Sequence, residues 1–141
     1  MSSTHASASN GSPADELSLA QRFVAAIEAR DVDTVRQCYA PGARIWHNVD
    51  GKVQSVDDNI KGVHWIHRVL ANVHYDIKRR VAIPGGFLQE HVLRGTLASG
   101  ESFAMPACVI CTVENGVIVT LDEYLDSAHT VPLVGQGRQS A

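Results

Sequence analysis

The sequence predicts one α+β domain, in which three helices from the first half of the chain pack over the concave face of a cone-shaped, curved antiparallel sheet. Two observations predict this class. Three segments between residues 12 and 70 each begin with a helix-capping signal, and apolar residues then recur along them with helical spacing. From Asn72 onward the apolar interval changes to two, and turn signals divide this part into four segments of strand length. A length of 141 residues fits one domain with one core.

Composition and charge argue against several classes of function. The net charge is -3 at pH 7, and no basic stripe with interleaved aromatic residues is present, so nucleic acid is not an expected partner. The apolar runs are far shorter than the roughly 20 residues that span a bilayer, so no membrane partner is expected. Residues 1–14 are rich in Ser and Ala and lack the pattern of a signal peptide, which predicts a disordered leader and a cytoplasmic protein. Residues 15–134 form the predicted domain, and residues 135–141 a flexible tail.

Each predicted helix begins at a side chain that can cap free backbone N–H groups. The helices are expected to run from Ser12 to about Arg30, from Asp31 to just before Pro41, and from Ser55 to about Leu70. Pro13 and Asp15 strengthen the first start, as the first helical residue and the second half of a capping box. The later strands are expected at residues 73–83, 87–97, 102–113 and 117–126, with a type I′ hairpin turn at Asn115-Gly116.

His47 is the strongest candidate for a functional side chain. Strand alternation through residues 43–51 places Ile45, His47 and Val49 on one face. An imidazole between two apolar side chains on an inward face is unusual, because a buried polar group needs a partner. With an ordinary pKa of about 6.5, the imidazole can accept and return a proton near neutral pH. The alternative is a core histidine bonded to a backbone carbonyl.

The three cysteines are expected to be core residues. Cys38, Cys108 and Cys111 all lie in apolar patterns. Cys108 and Cys111 are three residues apart in a predicted strand, so they should face opposite sides of the sheet. This spacing argues against a disulfide or a shared metal.

Four segments of the chain resemble the ketosteroid isomerases. They are Arg22–Asp33, Tyr39–Ile45, Ala104–Cys108 and Glu114–Ile118. The resemblance extends over residues 17–132 and implies the cone-shaped fold of the nuclear transport factor 2-like superfamily, which includes the SnoaL-like polyketide cyclases. That fold carries enzymes and non-enzymes alike, so the resemblance implies no single reaction.

Three catalytic positions of the isomerases carry different residues in this chain. The resemblance places Phe23 at the position of their tyrosine, Cys108 at that of their protonated aspartate and His47 at that of their catalytic base. Phe23 cannot donate a hydrogen bond and Cys108 is a weak donor, so a conventional steroid isomerase is not expected. The position of the isomerases' catalytic base is still occupied by a side chain that can transfer protons, the imidazole of His47.

The resemblance to other relatives supplies candidate partners for this base. The SnoaL-like cyclases carry a catalytic aspartate ten residues after the hairpin glycine, and the same count from Gly116 gives Asp126. Scytalone dehydratase works with cavity histidines, and the alignment with the isomerases places His91 at a cavity-lining position. Glu123 has the opposite strand parity to Asp126, so an unbulged strand turns only one of them inward, with Asp126 slightly favoured.

The predicted catalytic residues are therefore His47, Asp126 and His91, with His47 as the general base. The residues expected to bind substrate are Phe23, His64, Trp65, Leu93, Met105, Cys108 and Glu123. His64 and His67 lie three apart on the third helix without a second pair of ligands nearby, so no metal is expected. No glycine-rich phosphate loop is present, and no cofactor is expected.

The predicted function is acid/base catalysis on a small hydrophobic, oxygenated ring compound such as a steroid, polyketide or aromatic metabolite. Elimination, aldol-type cleavage or isomerisation would begin with proton abstraction by His47. One alternative is a hydrolase in which the same histidine activates water, and another is a binding module without catalysis. A homodimer through the outer sheet face is also expected, with Val109, Cys111, Val113, Val117 and Val119 as its apolar residues.

Overall fold

The structure is a computed structural model that describes residues 11–134. Its helices are α1 (Pro13–Glu28), α2 (Val32–Cys38) and α3 (Val56–Val69), and a 3-10 turn (Ser127–Thr130) follows the sheet. Ser12 and Asp15 form the predicted capping box of α1. Within residues 11–134, no helix combines the length and apolar character needed to cross a membrane. Most of the predicted leader and all of the predicted tail lie outside the described residues, and Pro13 already belongs to α1.

Six strands form one curved sheet behind the helices. They are β1 (Tyr39–His47), β2 (Val53–Gln54), β3 (Ala71–Ile83), β4 (Gly86–Thr96), β5 (Ser102–Glu114) and β6 (Val117–Leu125). Their order in the sheet is β2-β1-β6-β5-β4-β3. The α+β class and the four-stranded meander are as predicted. The sheet is mixed, however, because β1 pairs in parallel with β6.

The first strand ends earlier than alternation predicts. Ile45 is fully buried in the core, and His47 is the last residue of β1. Val49 lies in the turn after the strand and is 42% exposed, yet it lines the same cavity beneath the helices as His47. The imidazole of His47 therefore stands at the end of the buried strand and not in its middle.

Strand β5 separates the two faces of the sheet by strict alternation. Its odd-numbered residues from Phe103 to Val113 are buried, and its even-numbered residues face away from the helices. Cys111 is in the core and Cys108 lies on the outer face, and all three cysteines of the chain are free. The expectation that Cys108 binds substrate is corrected by this parity, since an outward thiol cannot line a cavity on the inner face.

The alternation along β5 also shows that three residues predicted for the dimer surface are not on the outer face. Val109, Cys111 and Val113 are buried beneath the helices on the inner face. The outward residues at the centre of the sheet include Cys108, Ile110 on β5 and Tyr124 on β6, which is 45% exposed.

Candidate active site

A cavity of about 300 Å³ opens between helices α1 and α3 and the inner face of the sheet. Its wall is largely apolar. Of the residues that the sequence proposes for substrate binding, those that line it are Phe23, Trp65, Leu93, Met105 and Glu123. Leu133, in the helical residues 131–134 after the 3-10 turn, closes one side of the lining and is almost fully buried. The size and apolar lining are those of a small-molecule site.

His47 and Glu123 form an ion pair within this lining. Nε2 of His47 lies 2.9 Å from Oε1 of Glu123, and the two side chains are 19% and 18% exposed. The parallel pairing of β1 and β6 places the two residues directly side by side. Both side chains line the cavity, so a proton acceptor faces its apolar interior.

The pKa of His47 is raised above its ordinary value. The hydrogen bond to Glu123 is the largest cause, because it stabilises the imidazolium. Burial opposes this effect, while the negative charges of Glu123 and Asp50 add to it. The carboxylate therefore makes His47 a stronger base than an isolated imidazole in the same place.

Asn48 holds the two strands of this pair together. Its backbone N–H donates to the carbonyl oxygen of Glu123 at 3.0 Å. Its side-chain amide donates to the carbonyl oxygen of Leu125 at 3.0 Å and accepts from the N–H of Leu125 at 2.9 Å. These bonds fix the end of β6 against the end of β1, and so fix the position of Glu123 relative to His47.

A second polar group lies across the inner face of the sheet. Arg80 Nε donates to Oε1 of Gln89 at 2.8 Å, and Nε2 of Gln89 lies 2.9 Å from Nδ1 of His91. His91 is 3% exposed, lines the cavity and packs against Tyr75 with ring centroids 4.8 Å apart. Burial lowers the pKa of His91, and the charge of Arg80 lowers it further, while the charge of Glu123 opposes both.

The two polar groups share one row of the sheet. Glu123 is paired with Val109 on β5, and Val109 is paired with Gln89 on β4. With strands about 4.8 Å apart, the backbones of Glu123 and Gln89 are separated by about 10 Å. Val109 lies between them in the cavity lining, so one small molecule resting on Val109 can contact both groups.

Two residues proposed from the sequence lie away from this site. Asp126 does not face His47, because it follows the end of β6 and caps the 3-10 turn, accepting from the N–H of Ala128 at 2.9 Å. His64 is exposed on the outer side of α3 and is not part of the cavity lining. Its neighbour His67 bonds to the carbonyl oxygen of Ile27 at 2.7 Å, which is a structural contact.

Three site residues were not singled out from the sequence. Gln89 has the same strand parity as His91, so alternation along β4 could have found it. Arg80 and Tyr75 lie on β3, where a register shift between Ile77 and Arg79 interrupts simple alternation. Among residues 11–134, no three His, Cys, Asp or Glu side chains come together as metal ligands would.

Comparison with known families identifies the domain. The family model for the SnoaL-like domain matches residues 20–121. The protein belongs to the SnoaL-like family. No match was found among curated proteins.

Solved structures share the fold of this SnoaL-like protein at low sequence identity. IdmH from Streptomyces antibioticus, a candidate polyketide cyclase, is 17% identical with a TM-score of 0.75, covering 85% of this chain and 98% of its own. An LEH-like epoxide hydrolase from M. tuberculosis is 16% identical with a TM-score of 0.70, covering 91% and 95%. A ketosteroid isomerase-like protein from Catenulispora acidiphila, solved with trimethylamine, is 16% identical with a TM-score of 0.70, covering 83% and 92%. At this level of identity, these likenesses show a shared fold.

Proposed function

We propose that this SnoaL-like protein catalyses proton abstraction from a small hydrophobic ring compound that carries a ketone or similar oxygen. The reaction class is a lyase of the dehydratase or aldol-cleavage type, or an isomerase. The observation that carries the proposal is the 2.9 Å contact between His47 and Glu123 inside an apolar cavity. A partly buried imidazole with a carboxylate partner is a common arrangement for a general base.

In this proposal each ring nitrogen of His47 has a separate task. Nε2 of His47 bonds to Glu123, so in the neutral imidazole Nε2 carries the proton and Nδ1 holds the lone pair. Nδ1 takes the proton from the carbon beside the ketone, and Glu123 stabilises the imidazolium that forms. His91 donates a hydrogen bond to the ketone oxygen as negative charge develops there.

The proton balance distinguishes the reactions within this class. In an elimination, the electrons of the broken C–H bond form a C=C bond, and the hydroxyl group on the next carbon leaves as water with the proton returned by His47. In an isomerisation, His47 returns the proton to a different carbon of the same conjugated system. Both begin with the same C–H deprotonation, so that step can be tested before the natural substrate is known. In an aldol-type cleavage, His47 would instead take the proton of the β-hydroxyl group, the C–C bond would break to give a carbonyl compound and an enolate, and His47 would return the proton to the enolate carbon.

Exchange of α-protons for deuterium tests the proposed step. The hydrophobic ketone 2-tetralone is incubated with enzyme in D₂O, and loss of its α-proton signal is followed by NMR. The wild type should accelerate exchange, and His47→Gln should lower the enzyme-dependent rate by about 10² or more, the contribution expected of a general base. His64→Gln is the matched control, because His64 is exposed and outside the cavity. Equal rates in wild type and His47→Gln would reject the assignment.

Hydrolysis is the second candidate function, and the likeness to an LEH-like epoxide hydrolase supports it. The His47–Glu123 pair could deprotonate a water molecule in place of a carbon acid. Styrene oxide in H₂¹⁸O distinguishes the two reactions. Enzyme-dependent formation of ¹⁸O-labelled diol, without exchange of 2-tetralone protons, would favour the hydrolase.

A further inference from the structure

The contact between Arg80 and Gln89 determines which way the amide of Gln89 points. A guanidinium carries only hydrogen-bond donors, so the amide atom that faces Nε of Arg80 at 2.8 Å must be the oxygen. The amide NH₂ group of Gln89 then points along β4 toward His91. The amide orientation follows from the chemistry of Arg80, which stays charged throughout the accessible pH range.

The orientation of Gln89 in turn determines the protonation of His91. An amide NH₂ group only donates, so Nδ1 of His91, 2.9 Å away, must accept. A neutral imidazole that accepts at Nδ1 carries its proton on Nε2. An imidazolium would place an N–H group against the NH₂ of Gln89, so this contact also opposes protonation of the ring. Its burial acts in the same direction.

We propose that Arg80 and Gln89 are positioning residues that hold His91 as the neutral tautomer with its proton on Nε2, and so maintain a neutral hydrogen-bond donor in the cavity. Gln89 occupies Nδ1, and the ring lines the cavity, so Nε2 is the nitrogen left for a bound molecule. This inference deepens the proposed function, in which His91 donates to a ketone oxygen, but the tautomer itself can be measured without any substrate.

The arrangement selects the chemistry of the ligand. A neutral N–H donor favours an oxygen acceptor such as a ketone, ether or epoxide. It also remains a donor while His47 changes its charge during a reaction. The charged groups that face His91 are Arg80 and Glu123, and Tyr75 packs on its ring. The two charges act on the pKa of His91 in opposite directions, with burial as the larger influence.

Nitrogen NMR of ligand-free protein tests the tautomer. Two-bond ¹H–¹⁵N correlation spectra of ¹⁵N-labelled protein at pH 7 distinguish the two neutral tautomers and the imidazolium, and the His91 signals are assigned by their loss in His91→Gln. Wild-type His91 should show protonated Nε2 and unprotonated Nδ1. A protonated Nδ1, or a mixture of tautomers, would overturn the proposal.

Two substitutions test whether Arg80 and Gln89 determine the tautomer of His91. Gln89→Glu places a carboxylate, which only accepts, beside Nδ1, so His91 should change to the Nδ1–H tautomer or to imidazolium. Arg80→Met removes the donor that orients the amide, so the tautomers should mix, whereas Arg80→Lys should retain the wild-type pattern. Arg79→Met is the matched control, because Arg79 bonds to Glu90 on the outer face at 3.0 Å. An unchanged His91 spectrum in both Gln89→Glu and Arg80→Met would show that these residues do not determine the tautomer of His91.

Activity separates this inference from the proposed function. If His91 donates to the ketone and NMR shows the neutral Nδ1–H tautomer in Gln89→Glu, this variant should slow the exchange of 2-tetralone protons by about 10², the usual cost of losing one such donor. If NMR shows imidazolium instead, Nε2 keeps its proton and the exchange should not slow through loss of this donor. A wild type with the predicted tautomer but no exchange activity would support the positioning of His91 by Arg80 and Gln89 and would reject the proposed function. A wild-type His91 with its proton on Nδ1 would reject the positioning role of Arg80 and Gln89, whatever the exchange activity. If Gln89→Glu fails to fold by circular dichroism, Gln89→Met supplies the same test, with mixed tautomers expected.

Discussion

Nε2 of His47 lies 2.9 Å from Oε1 of Glu123, although 75 residues separate them along the chain. The contact exists because β1 and β6 are parallel neighbours in the sheet. It joins a base to a carboxylate inside a largely apolar lining. This pair, together with His91 on the opposite part of the lining, is the basis of the proposed chemistry.

Asn48 should maintain the geometry of this pair. Asn48→Ala removes two side-chain hydrogen bonds to the backbone of Leu125, so the free energy of unfolding should fall by about 1–2 kcal/mol. Because β6 would then be less tightly held beside His47, exchange of 2-tetralone protons should also slow. Chemical denaturation and the exchange assay measure the two effects. A stability loss without any change in exchange would show that Asn48 has only a structural role.

Gly86 and Gly62 should respond in opposite directions to substitution by Ala. A Cβ atom at Gly86 would clash with the backbone carbonyl of Cys111, so Gly86→Ala should destabilise the fold by about 3 kcal/mol. A Cβ atom at Gly62, inside helix α3, meets nothing within 4 Å and should stabilise it by about 1 kcal/mol. Thermal unfolding of both variants checks the prediction, and a Gly86→Ala protein as stable as wild type would contradict the close approach of β4 and β5.

The outer sheet face should form a homodimer. The rings of Trp46 and Tyr124 pack on this face with centroids 5.3 Å apart, beside the outward side chains of Cys108 and Ile110. The helices cover the other face, so a second copy would bury these apolar groups. Light scattering at micromolar concentration should give twice the chain mass, and Ile110→Glu should give a monomer. Val53→Glu, at an exposed position on β2, is the control, and a monomeric wild type would contradict the prediction.

The sequence predicted the elements well because their signals are local. The capping box at Ser12, the change of period after Asn72 and the Asn115-Gly116 turn each depend on neighbouring residues. The turn has φ values of 52° and 77°, as a type I′ turn requires. The parallel contact of β1 with β6 joins distant segments, and no local pattern specifies it.

The errors at the site concern which side chains of a strand face inward and where the strand ends. The count from Gly116 predicts Asp126, but β6 ends at Leu125, and the inward residue beside His47 is Glu123. The resemblance predicts Cys108 in the site, whereas alternation from the buried Met105 turns it outward. At Val49 the backbone has already entered a turn, so strand parity no longer applies there, although Val49 still lines the cavity.

The acidic limb of the pH–rate profile tests the central claim most directly, because it connects His47, Glu123 and the proton transfer. Activity requires neutral His47, so the exchange rate of 2-tetralone protons should rise with pH through the pKa of His47. Glu123 raises that pKa, so the wild-type limb should lie above about 6.5.

In Glu123→Gln the carboxylate is lost while burial remains, so the limb should move to lower pH, together with the pKa of His47 measured by NMR titration. Asp126→Asn, which changes a carboxylate outside the cavity, should leave both values unchanged. A limb that stays in place in Glu123→Gln, or that moves independently of the His47 titration, would contradict the assignment of the His47–Glu123 pair as the base.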